Sequence, residues 1–153
     1  MLKNKCLEQL DAPLLKNSPN YVIVRLSIQD EFYDVGLQFN ASGDLARIEI
    51  NLFVSRDFWE EYTSDEMDAV IYQYKNNYNQ LKEYCISELG LPDFSGSWEM
   101  DGYPENQTAD HITFWDNTQG RIQIEFEHPD KEYPIFVRIA CYVLPSSLSE
   151  RKL

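Results

Sequence analysis

The stretch from Thr63 to Gly90 constrains the fold more than any other part of the chain. Met67, Val70, Ile71, Tyr74, Tyr78, Leu81, Cys85 and Leu89 recur at three- and four-residue steps. That spacing lines apolar side chains along one face of an α-helix. Thr63 and Glu66 stand at capping-box spacing, with Ser64 as the alternative cap, so the free amides of the first turn have acceptors. Gly90 suits the residue just past a helix end, and Pro92 bars continuation. The pattern predicts one amphipathic helix of about seven turns. Its apolar face must be buried against another layer.

The sequence on either side supplies that layer. Val22, Val24, Leu26 and Ile28 alternate with polar residues over Tyr21–Ile28, and Val35, Leu37 and Phe39 repeat the pattern over Tyr33–Phe39. After the turn residues Asn40–Asp44 come Ile48, Ile50, Leu52 and Val54 within Leu45–Val54. Beyond the helix, His111–Asp116, Arg121–His128 and Pro134–Leu144 alternate in the same way, with Asn117–Gly120 and Pro129–Glu132 as turns. Period-two alternation is the mark of strands buried on one face. The expected order is β-β-β-α-β-β-β: an α+β fold in which an antiparallel sheet of about six strands packs on one long amphipathic helix. Lys3–Leu10 is expected as a short helix, and Pro145–Leu153 as a frayed tail. Leu91–Asp110 has no period and carries Pro92, Gly96, Gly102 and Pro104 together with Phe94, Trp98, Met100 and Tyr103. It reads either as a functional loop or as an irregular cover over the core.

A chain of 153 residues with 43% apolar side chains can form one domain with a proper core. No apolar run is long enough to span a bilayer. The basic residues near the N-terminus are not followed by an apolar segment of the secretory kind, so the expected compartment is the cytoplasm. Cys6, Cys85 and Cys141 are odd in number and far apart, which argues against a disulfide framework. Cys85 and Cys141 fall on apolar faces and read as small core residues.

The net charge is −13, which disfavours nucleic acid and anionic membrane as partners. Its distribution is uneven. Residues 1–56 and 111–153 each carry a net −1, whereas 57–110 hold thirteen acids against Lys75 and Lys82 alone, a net of −11. The helix macrodipole accounts for Asp65, Glu66 and Asp68 in the first turn, but not for the acids before and after the helix. Aromatic residues are interleaved with these. The candidate partner-binding residues are therefore Asp57, Trp59, Glu60 and Glu61 before the helix, and Asp93, Trp98, Glu99, Asp101, Tyr103 and Glu105 after it. Aromatic anchors amid charge suit a surface that receives a basic protein.

Signatures of other chemistry are missing. His111 and His128 are the only histidines, and neither has a partner at metal-ligand spacing. His128 with Glu127 and Asp130 makes at best a weak metal or acid–base site, and a turn histidine is the simpler reading. No nucleophile elbow, phosphate-binding loop, dinucleotide fingerprint or calcium loop occurs. The expectation is a protein without catalytic residues, metal or cofactor.

In size, acidity and lack of catalytic signature, the chain resembles the small immunity proteins of bacterial toxin–immunity systems. The segment from Trp115 through His128-Pro129-Asp130-Lys131-Glu132-Tyr133-Pro134-Ile135 also looks like a pattern found in small bacterial proteins of that type. The resemblance implies an inhibitor that binds a cognate toxin, and it assigns no functional residue. A second reading is a small acidic secretion chaperone or adaptor, which would hold a client segment along a sheet edge and would be a homodimer.

Overall fold

The computed structural model describes Lys3 and residues 12–55, 63–105, 107–129 and 134–143. The strands are β1 Leu14–Ser18, β2 Tyr21–Ile28, β3 Glu31–Phe39, β4 Leu45–Val54, β5 Phe94–Ser97, β6 His111–Asn117, β7 Gly120–Glu127 and β8 Phe136–Val143, and the helix α1 spans Ser64–Leu89 between β4 and β5. The fold is α+β, and its antiparallel sheet has the order β1-β2-β3-β4-β8-β7-β6-β5. Eight strands therefore replace the expected six. Both additions lie at the ends of that order. β1 (Leu-Leu-Lys-Asn-Ser) is exposed along most of its length and pairs with β2 through a register shift between Leu14 and Lys16. β5 (Phe-Ser-Gly-Ser) is four residues long and pairs with β6 from Phe94↔Phe114 to Ser97↔His111. Neither has apolar alternation, because backbone pairing rather than burial holds an edge strand in place.

The expected helix forms as its spacing dictates. The Thr63 hydroxyl accepts from the Glu66 amide, and the Glu66 carboxylate accepts from the Thr63 amide at 2.7 Å. At the other end Gly90 takes φ 86°, a conformation that favours glycine, and its N–H donates to the Ile86 carbonyl at 2.8 Å. The short helix expected over Lys3–Leu10 lies outside the described residues apart from Lys3, and the tail Pro145–Leu153 lies wholly outside them.

The residues group into two compact units: one holds the described parts of Met1–Asn51, Asn117–Arg121 and Ala140–Leu153, the other those of Leu52–Asp116 and Ile122–Ile139. In the first unit, Val22, Val24, Val35, Leu37 and Phe39 form a buried face, with Leu45, Ile48 and Ile50 packed beside them. The alternate residues Arg25, Asp34 and Gln38 are exposed. Arg25 pairs with Asp34 across the β2–β3 ladder at 3.0 Å. Gln29 and Asp30 both take positive φ, 51° and 65°, in the two-residue turn of that hairpin.

In the second unit, α1 sets Tyr78 and Cys85, with Met67, Val70, Ile71, Tyr74, Leu81 and Ile86 around them, against Trp115, Ile124, Phe126, Ile135 and Val137. Leu89, expected on the apolar stripe, is 45% exposed, while Ile86 takes part in the packing. The opposite face of this half of the sheet is also covered. Gln123 and Glu125 of β7, whose alternation points them away from the helix, are buried at 0% and 3% exposure. The segment after β5 accounts for this. Gln107 accepts from Gln123 at 3.0 Å, Thr108 donates to Glu127 at 3.1 Å, and the Asp110 amide donates to the Phe126 carbonyl at 2.9 Å. Ala109, Ile112 and Phe114 form a second small core there, flanked by Phe94 and Tyr103. Within Leu91–Asp110, β5 occupies the start, and Tyr103 with residues 107–110 covers this face of the core.

Candidate functional site

Two surfaces of the second unit collect side chains that the fold itself does not use up. The first is the turn after β5. The Met100 amide donates to the Ser97 carbonyl at 3.0 Å, and the Tyr103 amide donates to the Met100 carbonyl at 3.2 Å. Gly102 takes φ 90°. These bonds close a tight turn whose tip is Trp98-Glu99-Met100-Asp101. All four residues are exposed, Trp98 at 63% and Met100 at 52%. Beneath the tip, Phe94 stacks on Phe114 with ring centroids 5.6 Å apart and meets Tyr103 edge-on at 6.3 Å. The Tyr103 hydroxyl donates to the Ala109 carbonyl at 2.6 Å. Tyr103 thus supports the turn from below.

The remaining candidates are placed as follows. Asp93 is exposed, and its Oδ2 accepts from the Asp116 amide at 2.7 Å, which ties the entry of β5 to the end of β6. Glu105 is exposed. Asp57, Trp59, Glu60 and Glu61 lie outside the described residues. The structure therefore brings together Trp98, Glu99 and Asp101 on one turn, with Tyr103 as their support.

The second surface is a groove between α1 and the strands β5 and β6. One part, of about 370 Å³, is lined by Lys75, Tyr78, Asn79, Lys82, Ser95, Gly96 and His111. A second part, of about 410 Å³, shares Lys75 and His111 and continues past Ser97, Trp98, Glu99, Asp110, Phe126 and His128. Lys75, Tyr78, Asn79 and Lys82 stand at helical positions i, i+3, i+4 and i+7, which share one face. The β5–β6 register sets Ser95 beside Thr113 and Ser97 beside His111. A chain of hydroxyls leads inward: Lys82 donates to Ser95 at 3.4 Å, and Ser95 and Tyr78 each meet the Thr113 hydroxyl at 2.8 Å.

Burial dominates the electrostatics of this groove. It pushes the Tyr78 phenol well above its usual value, so the hydroxyl stays protonated and able to donate. Burial also lowers His111, helped by the ammonium groups of Lys75 and Lys82 and opposed by Asp110. The imidazole packs between Phe126 and Tyr78, at centroid distances of 6.0 and 6.3 Å. Lys75 sits over the Phe126 ring at 5.9 Å. Among the described residues, neither lysine forms an ion pair with a carboxylate.

No motif in the sequence marks this groove. The seven-residue separation of Lys75 and Lys82 puts them on one helical face, but what that face meets is set by the fold. His111 and His128, seventeen residues apart in sequence, both line the 410 Å³ part. Glu127 is engaged by Arg138 at 2.8 Å and by Thr108, and Asp130 lies outside the described residues. Among the described residues, no group of three potential ligands could hold a metal ion, and no helix is long and apolar enough to cross a membrane. Cys85 is buried and Cys141 half-buried, both are free thiols, and burial raises both. Neither is an activated nucleophile. Comparison of the chain with protein-family models, with curated proteins and with solved structures gives no match.

Proposed function

We propose that the chain is a non-enzymatic protein-binding domain that neutralises a basic partner, as toxin-binding immunity proteins do, and that the turn after β5 is its contact. The observation that carries this reading is the exposure of Trp98 and Met100 at 63% and 52%, flanked by exposed Glu99 and Asp101. Large apolar side chains on a surface gain free energy only when covered, and tryptophan is the residue most enriched among binding hot spots. Turn hydrogen bonds and the Phe94–Phe114 stack hold the tip in shape, so little ordering entropy is lost on contact. The −11 charge of residues 57–110 speeds encounter with a positive surface. The expected compartment, the cytoplasm, suits such a protein.

The direct test is to express the product of the adjoining reading frame with and without this chain. Growth should be inhibited without it and restored with it, and the purified pair should associate more slowly as salt rises. Trp98→Ala should weaken the complex by about tenfold or more, and Glu99→Lys with Asp101→Lys should slow association. No complex, or one indifferent to all three substitutions, would sink the proposal. The edge strands β1 and β5 support the alternative of a chaperone or adaptor that adds a client strand. A stable homodimer in light scattering would favour that reading, and a monomer would count against it.

A further inference from the structure

We infer that the groove between α1 and β5–β6 is a binding site for a small soluble phosphate, with the phosphoryl group held between Lys75 and Lys82 and against Ser95. The inference does not rest on the partner-binding reading, and the two sites meet at Trp98 and Glu99, which line the far part of the groove. It starts from charge placement. In a chain of net −13, with residues 57–110 at −11, the only two cations of that segment both line the same groove. Lysines scattered at random over so acidic a region would meet carboxylates, and among the described residues these two form no ion pair. Among the described residues, the 370 Å³ part of the groove that they flank is lined by no carboxylate. The carboxylates Glu99 and Asp110 are confined to the adjoining part.

The remaining lining suits an oxyanion. Ser95 and Asn79 offer neutral donors, and the Ser95 hydroxyl is already oriented by Lys82 and Thr113. His111 stands at the junction of the two parts. Lys75 and Lys82 leave the helix roughly 10 Å apart along its axis, so their side chains approach a common ligand from two directions. Two ammonium groups match a phosphate dianion, whereas a lone carboxylate would leave one unbalanced. A metal cation would be repelled by both. The rest of an organic phosphate would extend past His111 into the part lined by Trp98, Phe126 and His128. Nucleic acid and anionic membrane are poor candidates for the source, because the protein's overall charge repels both.

The test is a titration of the full chain with inorganic phosphate and, separately, with ribose 5-phosphate, following the backbone amide resonances of Ser95, Gly96 and Ser97 and the imidazole of His111. Potassium chloride at equal ionic strength is the control. Saturable shifts at these residues, absent with chloride, support the site. Lys75→Gln with Lys82→Gln should weaken binding at least about tenfold, and Lys75→Arg with Lys82→Arg should largely restore it. Both lysines lie at the surface or partly so, and an unchanged thermal midpoint checks that the fold survives. Tighter binding of the ester identifies an organic phosphate, and equal binding identifies the free anion. Shifts that do not saturate, that chloride reproduces, or that persist in the double glutamine variant overturn the inference.

Discussion

The hairpin β2–β3 and the strand β7 carry the same alternating pattern and meet different fates. In β2 and β3, the polar residues between the apolar positions, Arg25, Asp34 and Gln38, are exposed, although Gly36 beside them is buried. In β7, the corresponding residues Gln123 and Glu125 are buried at 0% and 3%. The apolar halves behave alike, since Val22, Val24, Ile124 and Phe126 are all buried to 2% exposure or less. Alternation therefore states which side chains share a face of the sheet. It does not state whether the polar face meets water. In β7 that face lies under Tyr103 and residues 107–110, and most of its polar groups pair with one another or with the cover: Glu125 accepts from Gln123 at 3.0 Å, and Arg138 reaches Glu125 at 3.8 Å and Glu127 at 2.8 Å, while Gln123 Oε1 is buried without a hydrogen-bond partner among the described residues.

The comparison can be broken or sharpened by substitution, read as changes in unfolding free energy from denaturant titrations. Phenylalanines give the widest gap. Phe126→Ala removes a ring that is 2% exposed and should cost about 3–5 kcal/mol. Phe32→Ala removes one that is 73% exposed and should cost at most about 0.5 kcal/mol. Equal losses would mean that burial does not distinguish the two regions.

Acids come next. Glu125→Ala strips a buried carboxylate from Arg138 and Gln123 and should cost about 2–4 kcal/mol. Asp34→Ala breaks the exposed pair with Arg25, where the partners are 53% and 48% exposed, and solvent screening limits the loss to about 1 kcal/mol or less. A small loss at Glu125 would show that its face is wetter than its burial implies.

His111 gives a pH-dependent difference. Its folded value lies below the ordinary imidazole value of about 6.5, through burial and the nearby Lys75 and Lys82, against the pull of Asp110. The unfolded chain therefore binds a proton that the native state does not. Its contribution is fully present above the unfolded value and is lost as pH falls through that value toward the folded one. His111→Gln should flatten the stability profile in that window, and an unchanged slope would contradict the burial.

The smallest expected effect is a gain. Gln29 and Asp30 both hold positive φ, where Asn-Gly is preferred. Gln29→Asn with Asp30→Gly should raise stability by about 0.5–1 kcal/mol, seen as a higher thermal midpoint.

Much of the fold is legible in the sequence. The helix, its Thr63–Glu66 capping box and its end at Gly90 follow from local chemistry, because a cap and a periodic stripe need only neighbouring residues. The same holds for the strands of Tyr21–Val54 and for the hairpin at Asn117–Gly120, where the Asn117 side chain accepts from the Gln119 and Gly120 amides. β1 and β5 were not legible, because what defines them is a partner strand. The candidate site was legible only in part. The mixture of acid and aromatic around Trp98 was visible, but the supporting role of Tyr103 and the groove with its lysines were not.

The sequence by itself thus determined the helix, the alternating strands and the concentration of negative charge, all properties of residues near one another in the chain. Tertiary structure alone decided which acids are buried, where the two lysines of the acidic segment point, and that His111 and His128 share one cleft. The reason is physical. Periodicity fixes the direction of a side chain relative to its own element, whereas burial and charge environment depend on what distant segments bring to the other side.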